Sequence, residues 1–322
     1  MDKILITGAG GQLGTELTHM LAQVYGKKAI LATDLSPEAE EKLEEIPFQT
    51  LDVMDQSSFA SLIHKEKVTQ IYHLAAILSA TGENHPQKAW RLNMGSLLTV
   101  LELAREKPLQ KIYWPSSIAV FGPNTPRHNT PQSCIQDPQT VYGISKQAGE
   151  RWCSYYHLKY GVDVRSLRYP GLIGAKSLPG GGTTDYAVEI YHKALEGQPY
   201  TCFLKKDQEL PMMYMPDAIK ATLSLMEADA SQIHIRSSYN ISAMSITPDQ
   251  VYQSILAHLP GFEISYEPDY RQAIAENWPC SIDDSKARED WGWKPSFDLP
   301  RMTEDILYHL PHYFPHLHEL PN

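Results

Sequence analysis

Apolar and polar positions alternate in two different rhythms along the first half of the chain. "KILITGAGGQLG" (residues 3–14) opens with a short β-prone apolar run, Ile4 to Thr7, and turns through glycines into "TELTHMLAQVYG". There Leu13, Leu17, Met20, Leu21 and Val24 recur at the spacing of a helix face. The pattern then repeats. "KAILATD" reads as a strand, "PFQTLDV" as a strand, "QSSFASLIHKEK" as a helix, "VTQIYHLAA" as a strand, "QKAWRLNMGSLLTVLELAREK" as a helix and "QKIYWPSS" as a strand. Next comes a helix through "GISKQAGERWCSYYHLKYG", with Gly161 as its stop, and "VDVRSLRYPGLIG" as strand and loop. Strands alternating with helices of this length predict an α/β fold, a doubly wound parallel sheet of Rossmann type covered on both faces.

Beyond about residue 171 prolines and glycines become frequent and the strands shorten, while "SITPDQVYQSILAHL" and "SIDDSKAREDWGW" read as separate helices. The expected organisation is a Rossmann domain over residues 1–170 and a smaller, discontinuous C-terminal substrate lobe over 171–322. "QELPMMYMPDAIKATLSLMEA" is expected to return as strand and helix to the first sheet, over about 211–238. Three tryptophans near the end, Trp278, Trp291 and Trp293, are expected to close the second lobe's core, and Asp283 and Asp284 to start a helix.

Composition narrows the function. A hydrophobic fraction of 42% and a charged fraction of 20% belong to a globular protein, and a net charge of −10 provides no field for a nucleic-acid backbone. No apolar run approaches a membrane span and no signal peptide is visible, so no membrane association and a cytoplasmic location are expected. Cys134, Cys153, Cys202 and Cys280 lack metal-site or disulfide spacing and are expected to be reduced. His312, His316 and His318 in the tail lack a partner at a ligand spacing, so no metal is expected.

The glycines between the first strand and first helix, Gly8, Gly11 and Gly14 with Gly10 between them, permit a tight turn and a close approach of backbone N–H groups to a pyrophosphate at a helix start. Asp34 ends the second strand 20 residues after Gly14, where its carboxylate suits two ribose hydroxyls and repels a 2′-phosphate, which favours NAD over NADP. In "TVYGISKQAGE" (140–150), Tyr142 and Lys146 stand four apart on what reads as one helix face. A phenol beside an ammonium and an oxidised nicotinamide is a tuned base, able to take a hydroxyl proton while the carbinol carbon gives up hydride.

These motifs in order, "TGAGGQLG", Asp52-Val53, "HLAA", Asn93, "PSSIAVFG" and "YGISK", resemble the extended short-chain dehydrogenase/reductase family. The resemblance implies Tyr142 as base, Lys146 as its tuner and a ribose ligand, and Ser117 as the serine on the reacting oxygen, with Ser116 as the competing assignment. It implies NAD contacts from Gly8, Gly11, Gln12, Leu13, Asp34, Asp52, Val53, Leu74, Ala75, Ala76, Asn93, Ser116, Tyr142, Lys146 and Tyr169. "YPGLIGAKSLPGGGTTDYAVEIY", "LPMMYMPDAI" and "WPCSIDDSKAREDWGW" resemble the family of short-chain L-threonine 3-dehydrogenases, which implies L-threonine as substrate, oxidised at its 3-hydroxyl to 2-amino-3-ketobutyrate. Ser79, Ser117, Tyr142, Thr183 and Thr184 would then contact the substrate, with glycines 180 to 182 as a lid. Family members pair the helices corresponding to residues 86–106 and 142–160, which implies a homodimer. A nucleotide-sugar epimerase or reductase is the alternative, and an NAD-sensing protein without chemistry a weaker one.

Overall fold

The computed structural model describes residues 2–106, 109–176, 178, 182–314 and 317. Six parallel strands form the principal sheet: β1 (Ile4–Thr7), β2 (Ile30–Asp34), β3 (Phe48–Thr50), β4 (Gln70–His73), β5 (Lys111–Tyr113) and β7 (Val164–Arg165), in the order β3-β2-β1-β4-β5-β7. The connections are α1 (Gln12–Tyr25), α2 (Gln56–Glu66), α4 (Pro86–Glu106) and α5 (Val141–Tyr160). Wholly buried strands such as Ile4–Thr7 explain the unbroken apolar runs, since a parallel sheet is covered on both faces. The order reverses beside β1: the chain first builds outward to β3, then returns to place β4 on the other side. Loops at the carboxyl ends of β1 and β4 therefore meet at a switch point, the usual location of a ligand crevice in such sheets.

Two features escaped the hydropathy pattern. A short helix, α3 (Ser79–Asn84), stands between β4 and α4, and a small three-stranded sheet β12-β8-β6 joins β6 (Ser116–Ser117), β8 (Leu167–Tyr169) and β12 (Tyr239–Asn240). The core of this part of the chain packs Leu5, Leu31, Ile71, Ile112 and Val164 of the sheet against Phe59 of α2, Leu97 and Val100 of α4 and Cys153 and Tyr156 of α5.

The chain divides into two compact units, one of residues 1–120, 138–168 and 219–239, the other of 121–137, 169–218 and 240–322. In the second unit, β9 (Gly171–Ile173), β11 (Leu210–Tyr214) and β13 (Met244–Ile246) form one sheet in the order β13-β11-β9. β10 (Tyr200–Cys202) pairs with β14 (Ile264–Tyr266). The expected return of residues 211–238 to the first sheet is thus corrected for its strand. β11 pairs in parallel with β9 and antiparallel with β13, while α7 (Met215–Glu227) runs from the second unit into the first. The second core gathers Tyr186, Ile190 and Tyr191 of α6 (Tyr186–Leu195), Val251 and Ile255 of α8 (Pro248–Leu256), and Met302 and Ile306 of the last helix (Leu299–Tyr313), with Trp278 packed against it. Trp291 and Trp293 are buried too, and Asp284 holds the Trp293 indole N–H at 3.0 Å. His316, His318, Gly180 and Gly181 lie outside the described residues.

Candidate active site

The turn after β1 is dictated by space. Gly8 has a left-handed φ of +74°, and a Cβ there would come within 2.7 Å of the Ala75 amide nitrogen, in the strip Leu74–Ala76 that follows β4. A Cβ on Gly14 would lie 2.1 Å from the Gly8 carbonyl oxygen. Gly11 differs, because a Cβ there would meet nothing nearer than that same oxygen at 3.4 Å. Gly11 caps α1 without a side-chain hydrogen bond, and no acidic residue occupies the first turn, where Gln12 and Leu13 follow. The helix therefore presents amide donors and the positive end of its dipole with open space before them, the arrangement that binds a phosphate.

Asp34 sits beside this turn. Its carboxylate accepts the Gly10 N–H at 2.9 Å on Oδ2 and the Ser36 N–H at 3.1 Å on Oδ1, which fixes its plane and leaves lone pairs on both oxygens. The Lys42 ammonium, the first cation after Asp34, reaches the Gly10 carbonyl oxygen at 3.4 Å. Asp52 accepts the Met54 N–H at 2.9 Å, with Val53 buried between them.

The start of α5 brings the chemistry together. Thr140 caps it, accepting the Gly143 N–H at 3.1 Å. A Cβ on Gly143 would fall 2.1 Å from the Ala119 carbonyl oxygen, so only glycine lets the helix press so closely on the segment that carries Ser117. The Ser117 hydroxyl stands beside the Tyr142 phenol. Burial pushes the Tyr142 phenol up to about 12, and the Ser117 hydroxyl pulls weakly the other way. Ser117 also accepts the Ala119 N–H at 3.1 Å. One turn on, Lys146 is buried and donates to the Pro115 carbonyl oxygen at 2.6 Å. Its ammonium lies 4.5 Å from the centre of the Trp114 ring and 5.4 Å from that of Tyr142. Burial depresses it to about 7, against an upward pull from Cys153 and Glu150.

The two serines differ in their partners. Ser116 is buried and donates to Glu150 Oε1 at 2.7 Å, whereas Ser117 is half-buried and faces Tyr142. Glu150 itself is fully buried and paired with Arg168, Nε to Oε1 at 2.8 Å and Nη2 to Oε2 at 2.8 Å. Asn93 is likewise engaged. Its side chain accepts the Ile77 N–H at 2.8 Å and donates to the Ile77 carbonyl at 3.0 Å, so it clamps the loop after β4. His73 is buried between the Thr7 hydroxyl at 2.8 Å and the Ser96 hydroxyl at 2.9 Å. Burial, then the Lys146 charge, depresses it to about 3.

Glu150, Arg168 and His73 were not singled out in the sequence. A Glu and an Arg in a polar stretch read as solvated, and only the tertiary packing reveals that they are not. Of the remaining expected residues, Ser79 begins α3 and is half-buried. Tyr169, Thr183 and Thr184 belong to the second unit. Tyr169 ends β8 and is buried, Thr183 is buried ahead of α6, and a Cβ on Gly171 of β9 would touch the Thr184 methyl at 2.7 Å.

A glycine turn at a bare helix start, an acid after β2 and a Tyr-Lys pair with a serine define a class. The profile of the NAD dependent epimerase/dehydratase family matches residues 4–242, and the chain belongs to that family. Its similarity is specific within that class. The chain is 58% identical to a solved structure described as a partial consensus L-threonine 3-dehydrogenase, with a TM-score of 0.93 over 96% of this chain and 99% of that one. It is 56% identical to a GalE-like L-threonine dehydrogenase from Cupriavidus necator in its holo form, with a TM-score of 0.92 over the same shares. An uncharacterised epimerase/dehydratase of Staphylococcus saprophyticus is 50% identical, over 95% of this chain and 96% of that protein.

Proposed function

We propose that the protein oxidises the 3-hydroxyl of L-threonine to 2-amino-3-ketobutyrate with NAD. The observation that carries this reading is the juxtaposition of Tyr142 with Ser117 and with the Lys146 ammonium 5.4 Å from its ring, in a chain more than half identical to threonine dehydrogenases over almost its whole length. Bound NAD would supply the hydride acceptor and a positively charged ring that favours the Tyr142 phenolate. In this reading Tyr142 takes the hydroxyl proton, Ser117 holds the reacting oxygen, and the Lys146 ammonium stabilises the phenolate. A phenol raised to about 12 keeps its proton near neutrality, so the phenolate gains from a rise in pH, while the Lys146 ammonium, depressed to about 7, is lost over the same rise.

The amides of Gly11, Gln12 and Leu13 are assigned to the pyrophosphate, with Gly8 shaping the turn. The free lone pairs of Asp34 are assigned to the ribose hydroxyls, and Asp52, Val53, Leu74, Ala75 and Ala76 to the rest of the dinucleotide. Asn93 and Ser116 act one step back, on the loop after β4 and on Glu150. Tyr169 is assigned to the nicotinamide end, and Ser79, Thr183 and Thr184 to the amine and carboxylate of threonine.

Tyr142→Phe tests the reading. Turnover is expected to fall by at least about 100-fold, the usual scale of a lost acid–base group, while NAD affinity measured by calorimetry is retained. Near-normal turnover would remove Tyr142 as base. In the unaltered protein, NADH formation is expected from L-threonine and not from D-threonine or L-allo-threonine. Conversion of UDP-galactose without net NADH would overturn the substrate.

A homodimer through α4 and α5 belongs to the same proposal, supported by Trp90, Ile144, Trp152, Tyr155 and Leu158, which are large, apolar and exposed on these helices. Light scattering at micromolar concentration is expected to give twice the chain mass, and a monomeric mass would count against it. A cytoplasmic location is proposed on the four cysteines, which form no disulfide among the described residues. Among the described residues no helix is long and apolar enough to cross a membrane.

A further inference from the structure

We propose that the second compact unit binds a divalent cation of the zinc class through His128, Glu209 and Cys280. The three residues are far apart in sequence, but one ligand atom of each lies within 4.8 Å of the others. They come from three segments: the loop 121–137, the residue before β11, and the stretch leading into the helix Ser285–Trp291.

The backbone holds two of these segments together. The N–H groups of Cys280 and Ser281 both donate to the Arg127 carbonyl, at 2.7 and 3.2 Å, and Thr130 N–H donates to the Ser281 carbonyl at 2.9 Å. Asn129, in the left-handed region at φ 50°, turns the chain and donates its N–H to Ser281 Oγ at 2.7 Å. His128 is thereby kept beside Cys280 by a latch that does not depend on any ion. Glu209 is anchored through its neighbour Gln208, whose buried side chain accepts from Gln272 at 2.8 Å.

The donor set is one imidazole nitrogen, one carboxylate oxygen and one sulfur, a mixture suited to zinc rather than to magnesium or calcium. His128 Nδ1 lies 4.0 Å from Glu209 Oε2, too far for a hydrogen bond. Zinc sits about 2.0–2.3 Å from each of its ligands, so a small inward rotation of the exposed His128 ring closes the triangle on an ion. Cys280 is buried, and its Sγ receives a guanidinium N–H from Arg127 at 3.4 Å. Such a donor orients the sulfur, and the Glu209 carboxylate offsets the guanidinium charge. Three protein ligands leave a fourth position for water.

Titration of the full chain with Co2+ tests the site, because a thiolate ligand gives a near-ultraviolet charge-transfer band that reports sulfur coordination directly. One equivalent is expected to saturate the band, Zn2+ to displace it, and binding to tighten as the pH rises and the ligands lose their protons. Cys280→Ser is expected to abolish the band, and His128→Ala, a surface change, to weaken binding at least about tenfold. Cys134→Ser, which alters another thiol of the same unit, is expected to leave the band intact. A protein that gives no saturable band, a band that survives Cys280→Ser, or one lost in Cys134→Ser overturns the proposal. The readout is spectroscopic, so it stands whether or not threonine is the substrate.

Discussion

The pair Glu150–Arg168 is the most exacting place to perturb this fold. Both side chains are buried, and the carboxylate accepts two bonds from the guanidinium and one from Ser116. Removing one charge from such a pair leaves the other in a site without water, a loss of about 3–5 kcal/mol. Glu150→Leu and Arg168→Met are each expected to cost that much. The double variant has no buried charge. What remains is the Ser116 hydroxyl without its acceptor, worth about 1–3 kcal/mol, so the double variant is expected to be more stable than the sum of the single losses by at least about 2 kcal/mol. Urea unfolding followed by tryptophan fluorescence, without cofactor, measures all four proteins of the cycle. Single losses below about 1 kcal/mol, or a double variant whose loss equals the sum, would refute the argument that desolvated charge dominates here. Activity at neutral pH falls as well in Glu150→Leu, because Glu150 helps to hold Lys146 in its ammonium form.

Acid sensitivity is expected from His73. Its folded value, about 3, lies below the unfolded value of about 6.5, so between the two the unfolded chain holds a proton that the fold does not. Its contribution is complete above about pH 6.5 and is lost progressively as the pH falls toward about 3. His73→Gln should flatten that slope in urea midpoints taken from neutral to acid pH, and equal slopes in the two proteins would exclude His73 as its source. Gly143→Ala places a methyl 2.1 Å from the Ala119 carbonyl and must move the start of α5. The expected results are a melting point lowered by a loss of about 1–3 kcal/mol and a turnover reduced at least tenfold; unchanged kinetics would show that the helix tolerates the shift.

The parallel sheet was legible because its strands are buried runs and its helices long amphipathic stretches. β12, of two residues, offers too few positions for any periodicity to register, whereas β6 and β7 fall within stretches that read as strands. The sheet membership of β11 was misread for a related reason. Its run Leu210–Tyr214 is buried throughout, and nothing in a wholly apolar strand states which partner will flank it. At the site, Tyr142, Lys146 and Ser117 were readable because spacing on one helix and order along the chain carry the information. The separate employments of Ser116 and Asn93, and the very existence of the Glu150–Arg168 pair, depend on which group meets which across 16 residues or more. Such meetings leave no local trace.

Both units are assembled from three separated stretches, and this sets an order on the protein's synthesis. When Val120 leaves the ribosome, five strands of the principal sheet are present, but β7 and the stretch 219–239 are not. The segment 121–137 emerges next and completes its bonds only when residues far downstream appear, among them Ser281, which the Asn129 and Thr130 amides require. At about 5–20 residues per second, the edge of β5 stays unpaired for about 2–9 s until Arg165 of β7 emerges, and the first unit waits on the order of 10 s in all for Tyr239. A chain of this design is exposed to proteases and to sticking during translation in a way that its finished stability does not reveal. Neither unit corresponds to one continuous fragment of the chain.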